Sequence, residues 1–348
     1  MKNDLNVKLI SMEDIMAAKC CDILEVIRVI EEVLVDYKNG GVMLPDKISQ
    51  IFNLETQDRI NCMPSTLMKD AVCGVKWVSV FPENPHKFSS QNVSGIIILS
   101  ELEQGFPIAV MDGTLITALR TACMGAIGAK YLARKDSHTY GTIGTGEQAK
   151  AHFIAIKKMF PQIDTCYVAS RSVKGENQFI DIMKKKYPDV DFIPCNSDYD
   201  KTVQNADIIV TAVSCQEPLL KADAVKKGTY YCHVGGWEDE YAVPKKATKI
   251  VCDDWNSLKH RGSPTIARMY KEGLLKDSDI YANIADIIDG TKPGRENYDE
   301  ICYFNSIGLS FVDVSVAYSF YKKVLNNNPG KDWKIQQTDV TDALLKSI

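Results

Sequence analysis

Thr139-Tyr140-Gly141-Thr142-Ile143-Gly144-Thr145-Gly146-Glu147-Gln148-Ala149 is the stretch that decides the fold. A β-type run, 139–143, leads straight into Gly-x-Gly-x-x-Ala, and residues 147–159 behind it have helical composition. In such a turn the first glycine permits the tight bend, and the second lets backbone amides approach a pyrophosphate at the positive end of the helix. The small third residue allows strand and helix to pack closely. A structural glycine turn is the competing reading, and the placement between a predicted strand and a predicted helix favours a dinucleotide site.

Working outward, the runs 165–169, 192–193, 207–212, 229–234 and 249–252 read as further buried strands. Helical stretches such as 176–187 intervene, and this β-α alternation predicts a Rossmann-type, doubly wound parallel sheet of the α/β class. Upstream the rhythm differs. Ile23, Ile27, Ile30 and Leu34 mark an amphipathic helix over 22–37 that closes before Asn39-Gly40-Gly41. Short β-type runs at 71–80, 95–99 and 108–111 and a helical stretch at 114–133 then give an α+β region. The expected division is an α+β domain over 1–130 and a nucleotide-binding domain over 131–312. The amphipathic segment that opens 313–348 is expected to pack back on the first domain.

The length of 348 residues suits two such domains. With 41 Lys plus Arg against 45 Asp plus Glu, the net charge of -4 gives no electrostatic footprint for nucleic acid or an anionic membrane. A small neutral or zwitterionic ligand fits better. The longest uncharged stretch, 88–100, is too short to span a bilayer as a helix, and no secretory pattern opens the chain, so the cytoplasm is expected. Eleven cysteines without a CxxC pair read as reduced thiols. The five histidines stand too far apart for a zinc site, and no metal is expected.

Four places carry candidate chemistry. The second strand ends in Ser170-Arg171 where an acid would read a ribose, which favours NADP over NAD if Arg171 pairs with a 2'-phosphate; a surface arginine is the alternative. Lys76 lies inside an apolar β-type run, and Arg120 in a helix of small and apolar residues. Each is either half of a buried salt bridge or a cation for a substrate carboxylate. After strand 229–234, Gly235-Gly236 is followed by Trp237, Glu238, Asp239 and Glu240. Glu238 or Asp239 could serve as a general base, or the segment is a solvated acidic turn. His233 reads as a packing residue.

Together these residues resemble the ornithine cyclodeaminase and µ-crystallin family over nearly the whole chain. The resemblance rests on Gly74-Val75-Lys76-Trp77, Ser94 to Leu99, Gly105 to Met111, Ala118-Leu119-Arg120-Thr121-Ala122 and the glycine turn. It continues in Asn305-Ser306-Ile307-Gly308-Leu309-Ser310 and Val312-Asp313-Val314. It implies an NAD(P)-dependent enzyme acting on a small amino-acid substrate, commonly a homodimer, whose first domain supplies substrate contacts and the dimer interface. It places Lys76 and Arg120 at the substrate carboxylate, with Lys47 where many members carry an arginine. Its cofactor contacts fall on Asn92, Thr121, Gly144, Gly146, Glu147, Gln148, Thr211, Ala212, Val234, Gly235 and Ser306. Cyclodeaminases carry a catalytic Asp just after the turn equivalent to Val234-Gly235-Gly236, where this chain has Trp237. The expected reaction is therefore oxidation at the Cα–N bond of an amino acid or amino-acid conjugate through an imine. Ornithine cyclodeamination and non-catalytic ligand binding are the alternatives. Asp253-Asp254-Trp255 and Pro293-Gly294-Arg295-Glu296 resemble the branch that splits an N-(2-amino-2-carboxyethyl)glutamate conjugate.

Overall fold

The computed structural model describes residues 5–327 and 330–347. The chain forms two compact units, one of Met1–Asp22, Asn39–Thr117 and Ser310–Ile348, the other of Ile23–Lys38 and Ala118–Leu309.

The first unit is built on β1 (Leu5–Ile10), β2 (Val42–Met43), β3 (Ile48–Asn53), β4 (Asp58–Leu67), β5 (Val72–Val80), β6 (Val93–Glu101) and β7 (Pro107–Asp112). With a C-terminal strand, Lys331–Gln336, they run in the order C-terminal strand, β1, β7, β6, β5, β4, β2, and β3 also pairs with β4. Pairing is antiparallel except between β1 and β7. Side chains alternate across β5: Val72, Gly74, Lys76 and Val78 face inward, where helix Ser310–Asn327 covers them. The cover is close at Gly74, where a Cβ would lie 2.8 Å from a Val314 methyl. The other face carries Cys62 beside Trp77 and Trp77 beside Ile96, with Val75 beside Ile98.

The second unit holds β8 (Thr139–Ile143), β9 (Thr165–Ala169), β10 (Asp191–Pro194), β11 (Ile208–Thr211), β12 (Tyr230–His233), β13 (Lys249–Cys252), β14 (Ala282–Asn283) and β15 (Cys302–Asn305). All pairs are parallel, in the order β10, β9, β8, β11, β12, β15, β13, β14. Chain direction across the sheet reverses between β8 and β11, which is where open α/β sheets place ligands. The parallel α/β sheet is as expected, but β15, inserted between β12 and β13, was not foreseen.

The division differs from the expected one near residue 130. Helix Thr114–Leu132 is shared, and helix Ile23–Lys38 counts with the second unit although its sequence lies in the first. Packing explains this: Val26, Ile27, Ile30, Val33 and Leu34 are buried, and the helix meets helices Glu147–Met159 and Ile284–Ile288. Glu31 binds Lys130 at 2.6 Å and Lys38 binds Asp289 at 2.7 Å. Among the described residues no helix is long and apolar enough to cross a membrane, and no His, Cys, Asp and Glu cluster could hold a metal ion.

Candidate nucleotide and substrate sites

Gly144 ends β8 with φ +110°, and a Cβ there would lie 2.6 Å from the Ala212 carbonyl, so only glycine fits. Gly146 caps helix Glu147–Met159 through its backbone alone, and a Cβ on it would meet nothing within 4 Å. Ala149 is buried against the strand. The open amide end of a 13-residue helix at the sheet's reversal point is chemically suited to a pyrophosphate. Glu147 is exposed and ion-paired with Lys150, and the Gln148 carbonyl is bonded to His152 Nδ1 at 2.8 Å. Burial lowers the His152 pKa to about 4, so its ring is neutral.

At the end of β9, Ser170 turns inward. Its hydroxyl donates to the Ser172 carbonyl at 2.9 Å. Arg171 is exposed. Glu176, fully buried, accepts the amides of Ser170, Asn196 and Ser197 at 2.8 to 3.0 Å and thereby fixes this loop to the one after β10. No sequence signal had marked it.

The acids after β12 require the largest correction. Glu238 and Asp239 are both 0% exposed and point into the unit. Glu238 accepts Thr211 Oγ1 at 2.7 Å and the amides of Val213, Val234 and Gly235 at 2.7, 3.2 and 2.8 Å, binding the ends of β11 and β12 together. A Cβ on Gly235 would lie 2.5 Å from its carboxylate. Asp239 accepts Thr265 Oγ1 at 2.7 Å and meets His233 Nδ1 at 2.8 Å, under the hydroxyls of Tyr231 and Tyr303. Burial opposes charge on His233, but the bond to Asp239 and the nearby carboxylates outweigh it and raise its pKa. Strand-end amides and hydroxyls draw both carboxylates inward, so neither reaches a substrate as a general base. Trp237 instead lies against Arg268, whose guanidinium is 4.1 Å from the ring centre.

β13 and β15 end side by side. Asp253 Oδ2 there accepts Ser306 Oγ and the amides of Ile307 and Gly308. Arg120, in helix Thr114–Leu132, is 6% exposed, and Thr121 beside it is half-buried.

Within the first unit Lys76 is 1% exposed, with Nζ 2.7 Å from Asp313 Oδ2 on helix Ser310–Asn327. Sequence reasoning left Lys76 without a partner, although an acid in the apolar stretch Val312-Asp313-Val314 was a readable signal. Lys47 is half-buried just before β3, and Asn92, expected at the cofactor, lies before β6, where its carbonyl accepts the Phe81 amide at 2.7 Å.

A parallel sheet with an uncapped Gly-x-Gly turn at its reversal point defines a nucleotide-binding α/β protein. The ornithine cyclodeaminase/mu-crystallin family matches residues 6–328, and the chain belongs to that family. It is 34% identical to the alanine dehydrogenase of Archaeoglobus fulgidus over 94% of this chain and 95% of that one. It is 31% identical to the N-((2S)-2-amino-2-carboxyethyl)-L-glutamate dehydrogenase of Staphylococcus aureus, over 78% of this chain and 81% of that one. The Thermococcus litoralis Delta(1)-pyrroline-2-carboxylate reductase, solved with NADH and L-proline, superposes with a TM-score of 0.87 at 30% identity, covering 93% and 99%. An archaeal alanine dehydrogenase dimer with bound NAD gives 0.86 at 31%, covering 95% and 100%.

Proposed function

We propose that this chain is an NAD(P)-dependent oxidoreductase that works at the Cα–N bond of an amino acid or amino-acid conjugate through an imine. The observation that carries the reading is the Gly144 to Gly146 turn, whose bare helix end is chemically suited to a dinucleotide pyrophosphate. The reading is supported by relatives named as an alanine dehydrogenase, an N-((2S)-2-amino-2-carboxyethyl)-L-glutamate dehydrogenase and a Delta(1)-pyrroline-2-carboxylate reductase.

A nicotinamide cofactor held here would supply the chemistry of hydride transfer at Cα. Gly144, Gly146 and the amides that open helix Glu147–Met159 would hold its pyrophosphate. Thr211, Ala212, Val234 and Gly235 lie at the strand ends that Glu238 joins and would line the cofactor there. Lys76 and Arg120 each supply a cation to the substrate α-carboxylate, which turns the Cα hydrogen toward the acceptor. Asp313 keeps Lys76 directed. Glu238 and Asp239 take no part in proton transfer.

Arg171, exposed where a ribose-reading acid is missing, supports NADP as the preferred form, although the solved relatives carry NAD or NADH. Arg171→Ala should lower kcat/KM with NADP and leave that with NAD unchanged. The outward face of the first unit's sheet, with Trp77, Ile96 and Ile98, supports a homodimer in which a second copy covers it. That none of the eleven cysteines is joined in a disulfide supports the cytoplasm.

The deciding experiment incubates purified protein with NAD or NADP and a panel of alanine, ornithine, lysine, arginine and a diaminopropionate–glutamate conjugate. Nicotinamide reduction and product mass are followed together. Stoichiometric reduction with a keto-acid product is expected. Ammonia and proline from ornithine without net reduction would replace this reading with cyclodeamination. Tight binding without turnover across the panel would replace it with a ligand-binding role.

A further inference from the structure

Asp253 follows β13 directly and is 2% exposed. Its Oδ1 accepts the Asp254 amide at 2.9 Å. Its Oδ2 gathers Ser306 Oγ at 3.0 Å, the Ile307 amide at 2.9 Å and the Gly308 amide at 3.0 Å. Gly308 has φ +78°, and a Cβ on it would lie 2.6 Å from Nη1 and 2.9 Å from Nη2 of Arg120. The Arg120 guanidinium therefore rests on the bare Cα of a residue whose amide is held by Asp253.

We propose that Asp253 is a positioning residue for this site. It holds residues 306–308 so that Gly308 leaves room for the Arg120 guanidinium, and it turns the Ser306 hydroxyl proton inward, so that Ser306 offers lone pairs to a bound ligand. This rests on Arg120 acting as a substrate cation and Ser306 as a cofactor contact.

The arrangement requires an ionised carboxylate. A protonated Asp253 carries a hydrogen of its own, and of the three groups on Oδ2 only Ser306 Oγ can accept it, since the other two are amides. Protonation therefore reverses the polarity of Ser306 and weakens the hold on Gly308. Burial pushes the Asp253 pKa up to about 6, within the range where enzymes are assayed. The titratable groups around it are Asp254 in the same turn, Tyr37 from helix Ile23–Lys38, Cys232 on β12 and Cys252 on β13. Burial holds Tyr37 and Cys232 at about 12 and Cys252 well above its ordinary value, so these three stay neutral across that range. Asp254 caps the Ser257 amide at 2.9 Å.

The test needs neither cofactor nor substrate. In isotopically labelled protein, the Gly308 amide and the Arg120 guanidinium signals should move together with a midpoint near pH 6, and Asp253→Asn should abolish the movement. Ser306→Ala, which removes one donor to the ionised form, should shift the Gly308 midpoint to higher pH. Signals that do not titrate in the wild type, or that still titrate in Asp253→Asn, overturn the proposal. An unchanged midpoint in Ser306→Ala overturns the role of Ser306. Where Asp253→Asn does not fold, the wild type and Ser306→Ala decide. In turnover, Asp253→Asn should raise the amino-acid KM by about tenfold or more and lose the acid limb of the wild-type profile. Intact titration in a protein that turns over no amino acid would leave Asp253 as assigned and remove the functional reading instead.

Discussion

The two sheets have equal strand numbers and opposite characters. In the second unit β8, β11, β12, β13 and β15 are buried along nearly their whole length, as expected of parallel strands covered on both faces. In the first, β4, β5 and β6 alternate, and the face turned away from helix Ser310–Asn327 remains apolar and partly exposed, with Trp77 and Ile96 each over 40% accessible. The first sheet thus has a surface that calls for a partner, while the second satisfies its own and directs its polar groups into fixed roles. Charge follows the same division. Among the described residues the first unit buries the ion pair of Lys76 with Asp313 beneath its covered face. The second distributes buried acids, Glu176, Glu238, Asp239 and Asp253, along the strand ends as anchors for backbone amides and hydroxyls.

The contrast can be broken most forcefully at Lys76. Lys76→Met removes the cation 2.7 Å from Asp313 and breaks this buried ion pair, and chemical denaturation should show a loss of about 4 kcal/mol. Adding Asp313→Leu should recover most of the stability and none of the turnover. An equal loss in both variants would show that packing, not charge, is what Lys76 contributes. In the second unit, Gly144→Val forces a β-branched residue into a left-handed backbone against the Ala212 carbonyl. It should cost about 3 kcal/mol and abolish nicotinamide binding measured by calorimetry.

A comparable effect is expected from pH. His152 titrates near 4 in the folded unit because burial disfavours its charge. Its contribution is complete above the ordinary imidazole value and is lost as pH falls through 4, about 3 kcal/mol in all. Asp253 acts in the opposite sense. Its raised pKa means that the folded state binds the extra proton, so its contribution is present in acid and disappears as pH rises toward 6. The two offset each other in the wild type. His152→Gln should gain more stability on acidification than the same variant carrying Asp253→Asn, and coincident profiles would remove the Asp253 assignment. The smallest effect is expected at Trp77. Trp77→Glu should change monomer stability by less than about 1 kcal/mol while moving the species seen by light scattering from dimer to monomer. A wild-type protein that is already monomeric would leave the outer face without its proposed cover.

The parallel sheet was legible because a β-type run, two glycines and a helical stretch stand in unbroken order around Gly144. β15 was not, since Cys302–Asn305 is only four residues long and its place between β12 and β13 is set by packing partners far away in sequence. The same limit governed the site. Sequence marked Glu238 and Asp239 as acids at a strand end, but the direction of a side chain depends on which donors need it, and the donors Thr211, Val213 and Thr265 lie 25 to 27 positions from the acid each one binds, too far apart to be read together. Lys76 stood out for the converse reason, because a cation in an apolar strand is conspicuous by itself.

The interlaced connectivity has a consequence for synthesis of the chain. β1 emerges first among the described strands, yet one of its neighbours, Lys331–Gln336, emerges after all the others, so the first unit's sheet cannot close until that strand has been made. The second unit has all its pieces once Leu309 has left the ribosome. A nascent chain therefore passes through a stage with the nucleotide-binding sheet available and the other sheet held open at β1, an exposed edge that chaperones must shield from other polypeptides.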